Sequence, residues 1–193
     1  MIIALSGMPG SGKSTVAKQL AEKLGWPRYY IGGLRREVAR KKGMTLEEYN
    51  KLGEIDPTTD KEVDEMQKKL GQEKNNFIIE GRTSFYFIPH ALKIFIDVEE
   101  KEGAKRIWND LQQNNKRNEA KNIKSVEDVL KLNRKRIKSD KKRYQKYYGF
   151  DAYDKKYYDY VIDSTNLTAE EKFDKIYKIV KKELETHNTR HIT

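Results

Sequence analysis

The sequence predicts an α/β fold in three layers, a five-stranded parallel sheet with helices on both faces. Three observations predict it. Short apolar runs of strand length alternate with segments whose apolar residues recur at helical spacing, as parallel strands joined by helical crossovers require. The first run passes through a glycine-rich stretch straight into a helix. No internal repeat interrupts the alternation.

Residues 2–6 form the first strand, Gly7 to Gly12 interrupt it, and Lys13 to Leu24 take up helical spacing through Val16, Ala17, Leu20 and Leu24. Gly25 and Pro27 close that helix, and Tyr29 to Ile31 form a second strand leading into a basic helix over Leu34 to Lys42. Gly43 stops it. Thr45-Leu-Glu-Glu48 then has the form of a capping box opening a short helix. Asp60 to Leu70 carries Val63, Met66, Gln67 and Leu70 on one stripe, and Asn75-Asn76 breaks it ahead of a strand at Phe77 to Glu80. Ala91 to Val98 is the next run of strand length.

Glu100 to Asn114 is helical and polar, and Asn114 to Lys124, poor in apolar residues, is expected to be a mobile charged excursion suited to a lid. Ser125 to Tyr148 reads as a long helix with Val126, Leu130, Ile137, Tyr144 and Tyr148 near one face and a basic opposite face. Tyr158 to Asp163 is the last strand. Thr168-Ala-Glu-Glu171 caps a final helix that turns Phe173, Ile176, Val180 and Leu184 to the sheet, before a tail from Thr186 that is expected to fray.

A chain of 193 residues is long enough for one sizeable core, and a single domain is expected. Hydrophobic and charged residues each make up 36%, so a compact core should carry long solvated helices. No run approaches the roughly 20 apolar residues of a membrane span, and the N-terminus lacks the basic region of a signal peptide; a cytoplasmic protein with no membrane partner is expected. The absence of cysteine excludes disulfides, thiolate catalysis and cysteine-ligated metal sites. A net charge of +10 implies anionic partners, with nucleotides, nucleic acid and acidic membrane surfaces all candidates by charge alone, and much of it sits in Arg35 to Lys42 and Lys131 to Lys146.

Gly7-Met8-Pro9-Gly10-Ser11-Gly12-Lys13-Ser14 matches G-x-x-x-x-G-K-S/T between a strand and a helix, the context that identifies a P-loop. Glycines let consecutive backbone N–H groups converge on a phosphate, and the helix N-terminus adds partial positive charge. ATP is expected to lie across Gly7 to Thr15, with Lys13 on the β and γ phosphates and the Ser14 hydroxyl on Mg2+, held otherwise by substrate and water. The fold prediction thereby becomes a three-layer P-loop NTPase fold.

Phe77-Ile-Ile-Glu-Gly-Arg82 ends a strand where such sheets bind ligands, so Arg82 is expected to face the transferred group, while Glu80 could equally cap a helix. Arg136, Asp140 and Arg143 share one helix face and form either a fork for an anionic acceptor or an ordinary solvated charged face. Arg35, Arg36 and Arg40 pose the same choice. Tyr144, Tyr147 and Tyr148 are candidates for base stacking or for packing, and the three histidines have no metal-ligand or base spacing.

With the P-loop, Gly32-Gly-Leu-Arg-Arg36, Lys42-Gly-Met-Thr-Leu-Glu-Glu48, Glu80-Gly-Arg82, Leu92-Lys-Ile-Phe-Ile96, Arg136-Ile-Lys-Ser-Asp-Lys-Lys-Arg143-Tyr144, Tyr148-Gly-Phe-Asp151 and Tyr158-Asp-Tyr-Val-Ile-Asp163 follow in order. This order resembles the cytidylate kinases, in their short archaeal form, within the nucleoside-monophosphate kinases. The resemblance covers almost the whole chain. It implies that Arg36, Arg82 and Arg143 contact the acceptor phosphate, Arg136 the transferring phosphoryl group, Asp140 the acceptor sugar, and that Arg106 lies near the donor adenine. It makes Arg117 the lid arginine, in a segment between Arg106 and Ser125 longer than the short family form. Thr83 stands where bacterial members carry a cytosine-reading aspartate.

The expected activity is phosphorylation of a nucleoside monophosphate, CMP or dCMP, by ATP, with Lys13, Arg82, Arg136 and Arg143 as the catalytic set. The expected division is a core of residues 1–31, 76–108 and 157–187, acceptor-binding helices 32–75, and a lid and basic helix 109–150, in a monomer with no leftover apolar stripe. Other acceptors (AMP, UMP or a nucleic-acid 5′-hydroxyl) keep the same loop. A P-loop protein that binds nucleic acid through Lys131 to Lys146 without being a kinase is the reading from another class.

Overall fold

The computed structural model describes residues 1–113 and 123–189. Strand β1 (Ile2–Gly7) is buried along its whole length because β3 (Phe77–Glu80) and β4 (Leu92–Asp97) pair with it in parallel on either side. Strands β2 (Arg28–Tyr30) and β5 (Tyr160–Asp163) flank these, giving the order β2-β3-β1-β4-β5. A central strand covered on both faces has no side left for polar residues, which explains the unbroken apolar run at 2–5.

Alternation sends Ile3, Leu5, Ile78, Ile94 and Ile96 to one face, where Val16, Ala17 and Leu20 of α1 (Lys13–Leu24) and Ile176 and Val180 of α8 (Ala169–Thr189) meet them. Ile2, Ala4, Phe77 and Ile79 point the other way, onto Ile31 of α2 (Ile31–Lys41), Leu70 of α4 (Thr58–Glu73) and Ile88 just past α5 (Ser84–Phe87). Each fully buried aliphatic side chain contributes roughly 1.5–3 kcal/mol. The three layers are therefore as expected, and every strand delivers its C-terminal end to one edge.

Above that edge lie α3 (Leu46–Gly53), α6 (Glu100–Gln113) and α7 (Val126–Tyr148). The capping box opening α3 is complete, Thr45 and Glu48 bonding reciprocally, and Thr168 and Glu171 do the same ahead of α8. Ala104 and Ile107 of α6 pack on Val129 of α7. No helix among the described residues is long and apolar enough to cross a membrane.

Several local expectations are corrected. Strand β2 ends at Tyr30 rather than Ile31, because Ile31 turns into the second face's core as the first residue of α2. A 3-10 turn at Lys155–Tyr157 delays β5 to Tyr160. The final helix runs on to Thr189, past the point where fraying was expected. Helix α7 departs most. Its buried positions include Ser139, Asp140 and Arg143, whereas Val126, Leu130, Ile137 and Tyr148 stay partly exposed. Its C-terminal half sets Arg143 on a charged partner from α4 beside the aromatic cluster that takes Tyr144. The anticipated lid core, including Arg117, falls in 114–122, outside the described residues.

Candidate active site

The chain leaves β1 into a loop whose geometry only glycine permits. Gly10 has φ of +79°, and a Cβ there would lie 2.1 Å from the carbonyl oxygen of Gly103 on α6. Gly103 is equally confined, its own Cβ position lying 2.5 Å from the Pro9 carbonyl oxygen. The loop is thus wedged between the sheet edge and α6, with Met8 N–H donating to the Ile96 carbonyl at 3.1 Å. Lys13 opens α1, and its ammonium curls back to the carbonyls of Gly7 and Met8 at 3.1 and 3.2 Å. Ser14 is half-buried in the same first turn, with its hydroxyl committed to no hydrogen bond among the described residues. A hard hydroxyl oxygen beside the helix N-terminus fits magnesium, and among the described residues no group of three His, Asp or Glu side chains could hold a metal instead.

Beyond the loop, Arg106 of α6 donates to the carbonyls of Ser164 and Thr165, at 3.0 and 2.9 Å, and is steadied by Glu102 at 2.8 Å. It therefore braces the turn between β5 and α8, next to the loop. Lys172 of α8 reaches the Ser11 carbonyl at 2.8 Å.

Around the C-terminal half of α7, buried charges alternate in a row. Arg82, just past β3, forms an ion pair with Asp140 at 2.9 Å and donates to the Tyr153 hydroxyl at 2.5 Å. That hydroxyl donates onward to Asp140 at 2.8 Å. Arg143, fully buried, donates to Asp140 at 2.6 Å and to Asp60 of α4 at 2.5 Å, and Asp60 also pairs with Arg35. Burial pushes the Asp140 carboxyl up, but Arg82, Arg143 and Arg136 outweigh it and hold the group at about 2. A carboxylate this firmly ionised neutralises the guanidiniums without quenching all of them.

The sequence-predicted residues thus fall into two groups. Gly7 to Thr15 form the loop, which Arg106 adjoins through the Ser164 turn; Arg82, Asp140 and Arg143 interlock with one another, with Arg136 near enough for its charge to act on Asp140. Arg36 is buried on α2 against the Tyr30 hydroxyl and the Gly32 carbonyl, at 2.6 and 3.1 Å. Its neighbours divide, Arg35 binding Asp60 and Arg40 facing solvent. Glu80 caps no helix; it is buried and pairs with Arg28 of β2. The outward lysines of α7 spend charge locally, Lys135 on Glu47 and Lys142 on Glu54. Tyr144 and Tyr148 stack with Phe150, so packing is their use.

The cytidylate kinase-like family model matches residues 2–166, which include every predicted site residue. The chain belongs to the cytidylate kinase-like family. That membership makes it an enzyme of the nucleoside-monophosphate kinase group. Among family relatives, the cytidylate kinase of Archaeoglobus fulgidus is 36% identical over 181 residues, 93% of this chain and 94% of its own. The cytidylate kinase of Methanocella arvoryzae is likewise 36% identical, over 93% of this chain and 97% of its own. At 14% identity, a shikimate kinase structure from Bacteroides thetaiotaomicron shares the fold alone, with a TM-score of 0.62 over 94% of this chain and 98% of that one.

Within this family fold, sequence reasoning missed Asp60, Tyr153, Lys172 and the Gly10–Gly103 contact. It also missed Gln67, a fully buried amide that donates to Thr83 at 3.0 Å and accepts from Ser84 at 2.7 Å. Gln67 was legible only as a polar residue on an apolar stripe. Asp64 lies beside it, with its carboxyl pushed up to about 7 by burial, against the Tyr148 hydroxyl bonded to it.

Proposed function

We propose that this protein transfers the γ-phosphoryl group of ATP to a nucleoside monophosphate, with CMP or dCMP as the acceptor and CDP or dCDP and ADP as products. One observation carries the reading: Arg82, Asp140 and Arg143 interlock next to a core cluster that Tyr144 and Tyr153 share with Met8 of the loop, a cationic group suited to a second phosphate. Membership of the cytidylate kinase-like family supports it. Gly7 to Thr15 would bind the donor phosphates, Lys13 would follow the γ group, and Arg106 would flank the adenine. Ser14 would hold magnesium, which when bound supplies charge neutralisation between the β and γ phosphates.

In this reading Arg36, Arg82 and Arg143 bind the acceptor phosphate, Arg136 meets the transferring group and Asp140 the sugar. Asp60 keeps Arg143 aimed until the acceptor phosphate takes its place. Phosphoryl transfer asks little covalent chemistry of the protein; alignment and exclusion of water do most of the work. The same proposal includes the division into core, acceptor helices 32–75 and lid with basic helix 109–150, and action as a cytoplasmic monomer.

The test is coupled ADP release with ATP, magnesium and each nucleoside monophosphate in turn, beside an ATP-only control. Preference for CMP or dCMP is expected, and Lys13→Ala should lose at least ~100-fold in turnover. Activity on another monophosphate alone would overturn the base assignment and keep the mechanism. ATP turnover indifferent to every acceptor would overturn the kinase reading.

A further inference from the structure

Lys172 is a cation placed where three effects oppose it. The residue is 5% exposed. It sits in the first turn of α8, the end of a helix that disfavours positive charge. Its nearest acting charge, Arg106, has the same sign, and burial first and Arg106 second push the ammonium down to about 8. The acid one residue before it is already spent, Glu171 being closed on Thr168 in the capping box. Among the described residues Lys172 has no carboxylate partner, and its one hydrogen bond goes to the Ser11 carbonyl at 2.8 Å.

A buried ammonium with a single neutral partner costs the folded chain stability. Its position suggests why it is there. A Cβ on Gly12 would come within 2.5 Å of its Nζ, so the charge lies against the loop backbone one residue before Lys13. Ser164 also donates weakly to the Ser11 carbonyl, at 3.4 Å, which ties this point of the loop to the turn after β5. The missing counter-charge belongs to whatever anion the loop binds.

We propose that Lys172 is a positioning residue of the donor site, holding the Ser11 carbonyl so that the loop keeps its phosphate-binding shape, with its charge neutralised by the bound triphosphate. The inference rests on the loop being the ATP site. It predicts opposite effects on the empty and the loaded protein.

The test uses the full chain with Lys172→Met, and Lys172→Gln as a second variant that keeps a donor but no charge. ATP affinity is measured by titration calorimetry, and thermal unfolding is followed with and without ATP. Expected are an ATP dissociation constant raised about tenfold to a hundredfold in both variants, the range for losing a hydrogen bond from a charged group. The KM for ATP should rise more than kcat falls, with the acceptor KM unmoved. The unfolding temperature of the empty protein should stay level or rise while its ATP-induced gain shrinks. Equal ATP affinity in wild type and variants would overturn the proposal. So would a variant less stable when empty that keeps the full ATP-induced gain, since that marks a mere strut. A wild type that binds no ATP would sink the donor-site reading itself, and this inference with it.

Discussion

Arg143 offers the most demanding prediction, because the charge proposed to bind the acceptor is also a structural ion. Its side chain is 0% exposed and lies between Asp60 at 2.5 Å and Asp140 at 2.6 Å. Arg143→Met removes the cation at similar bulk and leaves two buried carboxylates. Breaking a buried pair costs about 3–5 kcal/mol. Here each acid keeps a second partner, Asp140 retaining Arg82 and Asp60 retaining Arg35, so the lower end, about 3 kcal/mol, is expected. In a chain of this size 1 kcal/mol moves the melting temperature by about 2–4 °C, giving a fall of roughly 6–12 °C. Differential scanning calorimetry reads it. Asp60→Asn in the same chain takes the carboxylate from Arg35 in turn, so no stability should return, and turnover should remain at least ~100-fold down. A single variant melting within about 2 °C of wild type, or a double variant that regains activity with stability, would refute this account of Arg143.

Three further outcomes follow from the same geometry. Asp64 has its carboxyl raised from its ordinary 3.8 to about 7, so its stabilising contribution is full below about pH 4 and is lost as pH climbs through 7. Asp64→Asn should therefore gain in melting temperature over wild type as pH rises from 4 to 8, and a difference flat across that window counts against the burial argument. Gly10→Ala must place a side chain at positive φ against the Gly103 carbonyl, which costs roughly 1–3 kcal/mol in backbone strain alone. Both melting temperature and ATP affinity should drop, and retention of both would show the loop is not held by α6. Tyr153→Phe deletes the hydroxyl linking Arg82 to Asp140, so kcat/KM for the acceptor should fall about tenfold with the ATP KM unchanged. An unaltered acceptor KM and kcat would mean that Arg82 and Asp140 need no bridge.

Much of this architecture is local in origin. The glycine loop, the capping boxes at Thr45 and Thr168, and the Ser125 cap of α7 rest on hydrogen bonds between residues a few positions apart, so their spacing is readable directly. The strands were legible because burial on both faces demands uninterrupted apolar runs. Element ends moved by a residue or two where a tertiary need intervened, as when Ile31 left β2 for the core.

The chemistry divides along the same line. The sequence by itself determined the P-loop, the sheet order's raw material and the family, because each depends on short-range spacing or on a string of motifs in order. Only the tertiary structure decided what Arg136, Asp140 and Arg143 do, since a charged helix face is solvated or buried according to what packs on it. Arg143 meets Asp60 across 83 positions and Lys172 meets Ser11 across 161. No local period encodes such contacts. They exist because a parallel sheet gathers the ends of all its strands at one edge, where distant charges must find partners once water is excluded.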